Sequence, residues 1–184
     1  AGGAVRYITI LMPPMIVIYL NIIDDYKLMN SKKFRNFIFL ALASTSLLSI
    51  AVAYADYEFA GVYRNFSEIA GQYKTSDNQV WFVGHGGFQY YMQKKGYKIL
   101  GLNDNSPKKG DIVIKAQIPS PRKFSPLLKE RLMLLDTQSY KGNLPLRVHN
   151  PKSRAGFYTY GGGFLPYSFS HSSLEDFNIY KVVK

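Results

Sequence analysis

The stretch Phe37–Tyr54, FIFLALASTSLLSIAVAY, runs for eighteen residues without a formal charge. Coiled as a helix it covers roughly 27 Å at about 1.5 Å per residue, close to the hydrocarbon thickness of a bilayer. Ala41, Ala43, Ser44, Thr45, Ser46 and Ser49 are small enough to let another helix approach closely, as in membrane bundles. A second uncharged run, Tyr7–Ile23, lies just upstream with Pro13-Pro14 at its centre. Prolines inside a helix kink it, and membranes tolerate this where neighbouring helices satisfy the freed carbonyls. The expectation is two spans, at about 7–23 and 37–54, forming a transmembrane hairpin over residues 1–54.

The connection Asp24–Asn36 carries Lys27, Lys32, Lys33 and Arg35 against Asp24 and Asp25. Basic loops stay on the cytoplasmic side. Everything after Tyr54 is therefore expected on the extracytoplasmic face of the cytoplasmic (inner) membrane. From 56 to 74 the residues Phe59, Val62, Tyr63, Phe66, Ile69 and Tyr73 follow helical spacing, which predicts an amphipathic helix leading into a domain over 55–184. Tyr54, Tyr57 and Phe59 suit an interfacial belt, and Phe59 suits a core equally well.

Beyond it, Val80–Val83 has a buried-strand pattern, Gly84–Gly87 a turn, and Phe88–Lys95 a helix stopped by Gly96; Tyr97–Leu100 starts another strand. Strand, turn, helix and strand in that order predict parallel strands with a crossover helix. Ile112–Ile114 continues as a strand. Ser125-Pro126 supplies an N-cap and a first-turn proline for a short helix to about Arg131. Leu132–Tyr140, Leu144–His149, Phe157–Tyr160 and Phe177–Val183 have strand patterns. The expected fold class is α/β: two transmembrane helices, then an extracytoplasmic α/β domain with a Rossmann-like start and a mixed sheet ending in antiparallel strands.

The formal net charge is +11, from 23 Lys and Arg against 12 Asp and Glu. Such a balance suits an anionic lipid surface, a phosphate-bearing ligand or nucleic acid. No block of five like charges and no nucleic-acid motif occurs, so membrane lipids and a lipid-linked phosphate are the expected partners, and nucleic acid is not. The absence of cysteine excludes disulfides, thiolate metal sites and a cysteine nucleophile.

Gly84-His85-Gly86-Gly87 sits where a strand hands over to a helix, a place where sheets bind ligands and helix N-termini attract anions. His85, the backbone of Gly86 and Gly87, and Gln89 are the candidate contacts for a phosphate or sugar. A tight turn with a solvent-facing histidine accounts for the same residues. The dinucleotide and P-loop fingerprints are both missing. His85, His149 and His171 lack ligand spacing, so no metal site is expected. Glu175-Asp176 reads as a solvated turn, Gly161-Gly162-Gly163 as a flexible loop, and Ser168–Ser173 has no nucleophile-elbow pattern. Arg6 stands at the mouth of the first span, where its planar fork suits a lipid-linked phosphate; ordinary interfacial anchoring is the alternative.

Arg6-Tyr7 leading into the apolar run broken by Pro13-Pro14 resembles the last but one span of family 39-type membrane glycosyltransferases. That group includes protein O-mannosyltransferases and lipid A aminoarabinose transferases. The segments VWFVGHGGFQYYMQKKGYKIL, PKKGDIVI and GFYTYGGGFLPYSFSHSSLEDFNIYKV are similar to the C-terminal domain of further members, so the resemblance covers nearly the whole chain in order. It implies a multi-pass enzyme that moves a sugar from a polyprenyl-phosphate donor to a protein, lipid or glycan acceptor outside the cytoplasmic membrane. The family's catalytic carboxylate lies on a loop near the N-terminus, with a divalent metal in some members. The resemblance therefore implies a C-terminal portion, inactive alone, with no catalytic residue and no cofactor of its own. The alternative, from another class, is a stand-alone membrane-anchored ligand-binding or sensor module.

Overall fold

The computed structural model describes residues 11–101, 103–118, 123–157 and 163–184. The chain divides into two compact units, one of residues 1–56 with 146–170, the other of residues 57–145 with 171–184.

In the first unit, α1 (Met12–Asp25) opens with the proline pair in its first turn. The first N–H groups of a helix have no partner within it, so prolines are accommodated there without a kink. The break expected at the middle of a span is thus absent from the described helix, and residues 7–10 of that expected span lie outside the described residues. With 14 residues α1 is about 21 Å long, short of a bilayer core. Lys27 turns the chain in the left-handed region (φ 49°), and Ser31 Oγ accepts from Phe34 N at 3.4 Å to start α2.

Helix α2 (Lys32–Ile69) is unbroken over 38 residues, about 57 Å. Two helices were expected here, meeting near residue 55. No proline interrupts the junction, and Gly61 lies in open space, so the hydrogen-bond ladder simply continues. Among the described residues this is the one helix long and apolar enough to cross a membrane. Thr45 Oγ1 donates to Ala41 O at 2.8 Å, which satisfies that hydroxyl inside an apolar stretch. Phe39, Leu47 and Ile50 point outward, each about two-thirds exposed or more. An apolar surface of this extent marks a contact with lipid or protein.

The second unit is a mixed α/β layer structure. Strands β1 (Val80–Val83), β2 (Lys98–Ile99), β3 (Ile112–Ala116), β4 (Leu132–Tyr140) and β9 (Glu175–Val182) form one sheet in the order β2-β1-β3-β9-β4. β1 pairs in parallel with β2 and β3, while β9 runs antiparallel to β3 and β4. Helix α3 (Gly86–Lys94) makes the β1–β2 crossover, and a four-residue α4 (Pro126–Lys129) is capped as expected, Ser125 Oγ accepting from Leu128 N.

Strand alternation sends side chains to two cores. Val80, Phe82, Ile112, Ile114, Phe177 and Ile179 meet the α2 stripe Phe59, Val62, Tyr63, Phe66 and Ala70, together with Phe88 and Met92 of α3. Val83, Val113, Leu128 and Val182 form the opposite core. Phe66 stacks on Phe177 with ring centroids 3.8 Å apart and planes 12° apart. Burying aromatic rings of this size stabilises the layer by about 2–3 kcal/mol each. Phe59 is therefore a core residue, whereas Ile69, expected on the same stripe, is 40% exposed because the stripe passes to Ala70.

Candidate functional site

An apolar groove of about 400 Å³ belongs to the first unit. One wall is a single face of α2: Leu48, Val52 and Asp56 at four-residue spacing, with Ser49 and Ala53 beside them. The other wall is Val148, Phe157, Pro166 and Tyr167. These come from a small folded segment with its own strand pairs. There β5 (Leu146–Arg147) pairs with β8 (Ser168–Phe169), and β6 (His149–Asn150) with β7 (Ala155–Gly156). Val148 and Phe157 are joined by a hydrogen bond from Phe157 N to Val148 O at 3.0 Å, so the two wall residues are held side by side.

Local chemistry explains this segment's shape. Asn150 Oδ1 accepts from Lys152 N at 2.9 Å and Ser153 N at 3.2 Å, closing the turn Pro151–Ser153. Arg154 follows in the left-handed region at φ 60°. Gly163, expected only as part of a flexible loop, has φ 137°, and a Cβ on it would run into the Arg154 backbone. Glycine is required there by conformation and by space. Arg147 is buried and donates from Nη1 to Leu146 O at 2.8 Å. Burial lowers His149 below the ordinary imidazole value, which keeps it neutral.

Such a groove can hold an extended hydrocarbon chain. Its polar atoms are few, with one carboxylate, Asp56, at the end where the uncharged stretch stops.

The residues singled out from sequence lie elsewhere. Arg6 lies outside the described residues. His85 precedes α3 in extended conformation, Gly86 takes φ 58°, and Gly86 and Gly87 are exposed. Gln89 Nε2 donates to Gln93 Oε1 at 3.3 Å along the helix. His85, Gly86, Gly87 and Gln89 are thus brought together by the start of one helix. Gly84 is buried, and a Cβ there would meet the Phe88 ring. Among the described residues no group of three or more His, Asp or Glu side chains is placed to hold a metal ion.

Two carboxylates of the second unit are structural. Glu175 corrects the solvated-turn expectation, because it is fully buried. Its Oε1 accepts from the backbone N–H of Gln117, Ile118 and Asp176 at 2.9–3.0 Å, and its Oε2 from the Tyr63 hydroxyl at 3.1 Å. Burial pushes its carboxyl up to about 7 against the pull of those donors. For Asp111 burial works to raise the carboxyl too, but donation from the Gln79 and Lys108 N–H groups and Trp81 Nε1, with the Lys108 charge, holds it below the ordinary range.

No protein-family model, curated protein or solved structure matches the chain.

The α2 wall of the groove is legible in sequence as small and apolar residues at helical spacing. Its opposite wall is not, because Val148 lies about a hundred residues further along and no local pattern links the two.

Proposed function

We propose that the chain is the C-terminal portion of an integral-membrane glycosyltransferase, which moves a sugar from a polyprenyl-phosphate donor to an acceptor outside the cytoplasmic membrane. The apolar groove on α2 carries this reading: it is shaped for a hydrocarbon chain and adjoins a helix of membrane-spanning length. In this proposal α1 with the residues before it completes a second span, and β1–α3–β2 is a Rossmann-like start whose turn at His85 faces a sugar or phosphate. Arg6 stands at the lipid phosphate. The groove takes isoprene units from the donor, and the exposed turn serves the acceptor side. Sugar transfer needs a base for the acceptor hydroxyl as the phosphate leaves; in this reading a carboxylate outside these residues supplies it.

The test is retention of a polyprenyl phosphate by the chain in detergent, read by native mass spectrometry against a phospholipid competitor. Ala53→Trp fills the groove from the α2 side and is expected to lower retention at least several-fold. Equal retention of phospholipid and polyprenyl phosphate, unaffected by Ala53→Trp, sinks the groove assignment. The stand-alone binding module is the second reading, favoured by the parallel β2-β1-β3 arrangement, which places the His85 turn at the carboxyl ends of strands. It predicts a soluble small ligand that protects the His85 turn from hydrogen exchange, with no lipid dependence.

A further inference from the structure

Residues 146–170 contain Arg147, Lys152 and Arg154 and not one Asp or Glu. Lys152 and Arg154 are exposed. Two aromatic rings of the same segment are also bare, Phe164 at 74% and Phe169 at 75%. Their positions are constrained. Leu165 N donates to Arg154 O at 3.2 Å and Gly163 lies against the Arg154 backbone, so Phe164 is fixed beside that arginine's main chain. The Phe169 ring meets Tyr167 edge-on at 6.1 Å, and Tyr167 is a wall of the groove on α2.

Depth follows from the groove. Phe157, Pro166 and Tyr167 line it with Leu48, Ser49, Val52 and Ala53, which all belong to the uncharged stretch ending at Tyr54. When that stretch fills the hydrocarbon layer, whatever packs on residues 48–53 lies within about 10 Å of its edge. The two strand pairs satisfy only part of this segment's backbone, which suits a place at the polar edge of that layer and not its interior. Aromatic rings and cations without acids are the side chains suited to a headgroup layer carrying negative charge.

We propose that residues 146–157 and 163–170 form a foot seated in an anionic lipid surface, with Phe164 and Phe169 in the interfacial layer and Lys152 and Arg154 on lipid phosphates. The foot rests on the reading of α2 as a membrane span, and on nothing about the sugar donor.

Because these residues include no cysteine, single substitutions can be labelled selectively. Phe164→Cys, Phe169→Cys and, within the span, Leu42→Cys are each coupled to an environment-sensitive dye, and the chain is placed in bilayers containing phosphatidylglycerol. Nitroxide lipids labelled near the headgroup are expected to quench the dyes at 164 and 169, and lipids labelled deep in the chain the dye at 42. An aqueous quencher should reach none of them. If the dye at 42 is also unquenched by lipid, the span fails and the foot with it. If 42 is quenched while 164 and 169 are reached by the aqueous quencher, the foot alone is wrong. Shielding of 164 and 169 from both quenchers means that protein covers them, which also overturns it. Replacing phosphatidylglycerol by phosphatidylcholine should lower quenching at 164 several-fold and leave 42 unchanged; equal quenching at 164 would show that net negative charge is not needed and overturn the anionic surface.

Discussion

Glu175 is enclosed by three backbone N–H groups and one phenol, and its protonation is coupled to folding. Its carboxyl titrates at about 7 in the folded chain against 4.5 unfolded. The folded state thus holds the proton longer. The stability this contributes is complete below the unfolded value and is lost as pH rises through the folded one, about 3 kcal/mol in all. Glu175→Gln keeps an acceptor for the N–H groups and turns its amide towards Tyr63. Its unfolding free energy in detergent should lack the parent's loss between pH 4.5 and 7, so that the gap between parent and variant shrinks over that window; parallel curves would show that the donors cancel the effect of burial. At Gly84 the constraint is steric. Gly84→Ala forces the fully buried Phe88 ring to move and should cost about 1–3 kcal/mol, read as a lower Tm.

At the scale of elements, α2 is the decisive case. Helical spacing from Phe59 to Tyr73 and the uncharged run before it were both visible, and they suggested two helices. The structure makes one, because helix continues wherever nothing breaks it and both segments favour it. Gly61 is the weakest point of that helix, with nothing within contact distance of a Cβ. Gly61→Ala should raise unfolding stability by about 0.5–1 kcal/mol through lower backbone entropy in the unfolded chain. A loss of stability would mean that the helix bends there in solution. Strand β4 shows the opposite limit. Its pattern and bounds were legible, but its position at the sheet edge, with Met133, Leu134 and Leu135 half exposed, follows from pairing with β9 more than thirty residues downstream.

Across the whole molecule, the apolar helix surface governs behaviour in solution. Exposed residues such as Phe37, Phe39, Leu40, Leu42 and Leu47 line one stretch of α2. A chain held by burial of that stretch in lipid should stay with membranes after washing at alkaline pH and high salt, and leave only with detergent. Release by salt alone would show that charge attraction holds it and that α2 lies outside the bilayer core.

What the amino-acid order determined by itself is what depends on neighbours along the chain. That covers the uncharged stretch, the strand–turn–helix–strand order from Val80 to Leu100, the Ser125 cap and the β4 and β9 patterns, since periodicity, capping and turn chemistry act over a few residues. Tertiary structure alone decided the rest. It grouped residues 146–170 with the N-terminal helices. It built a groove from walls a hundred residues apart and turned Glu175 from an apparent surface acid into a buried anchor for Tyr63. Those outcomes arise from burial and long-range hydrogen bonding, whose partners no local window of sequence contains.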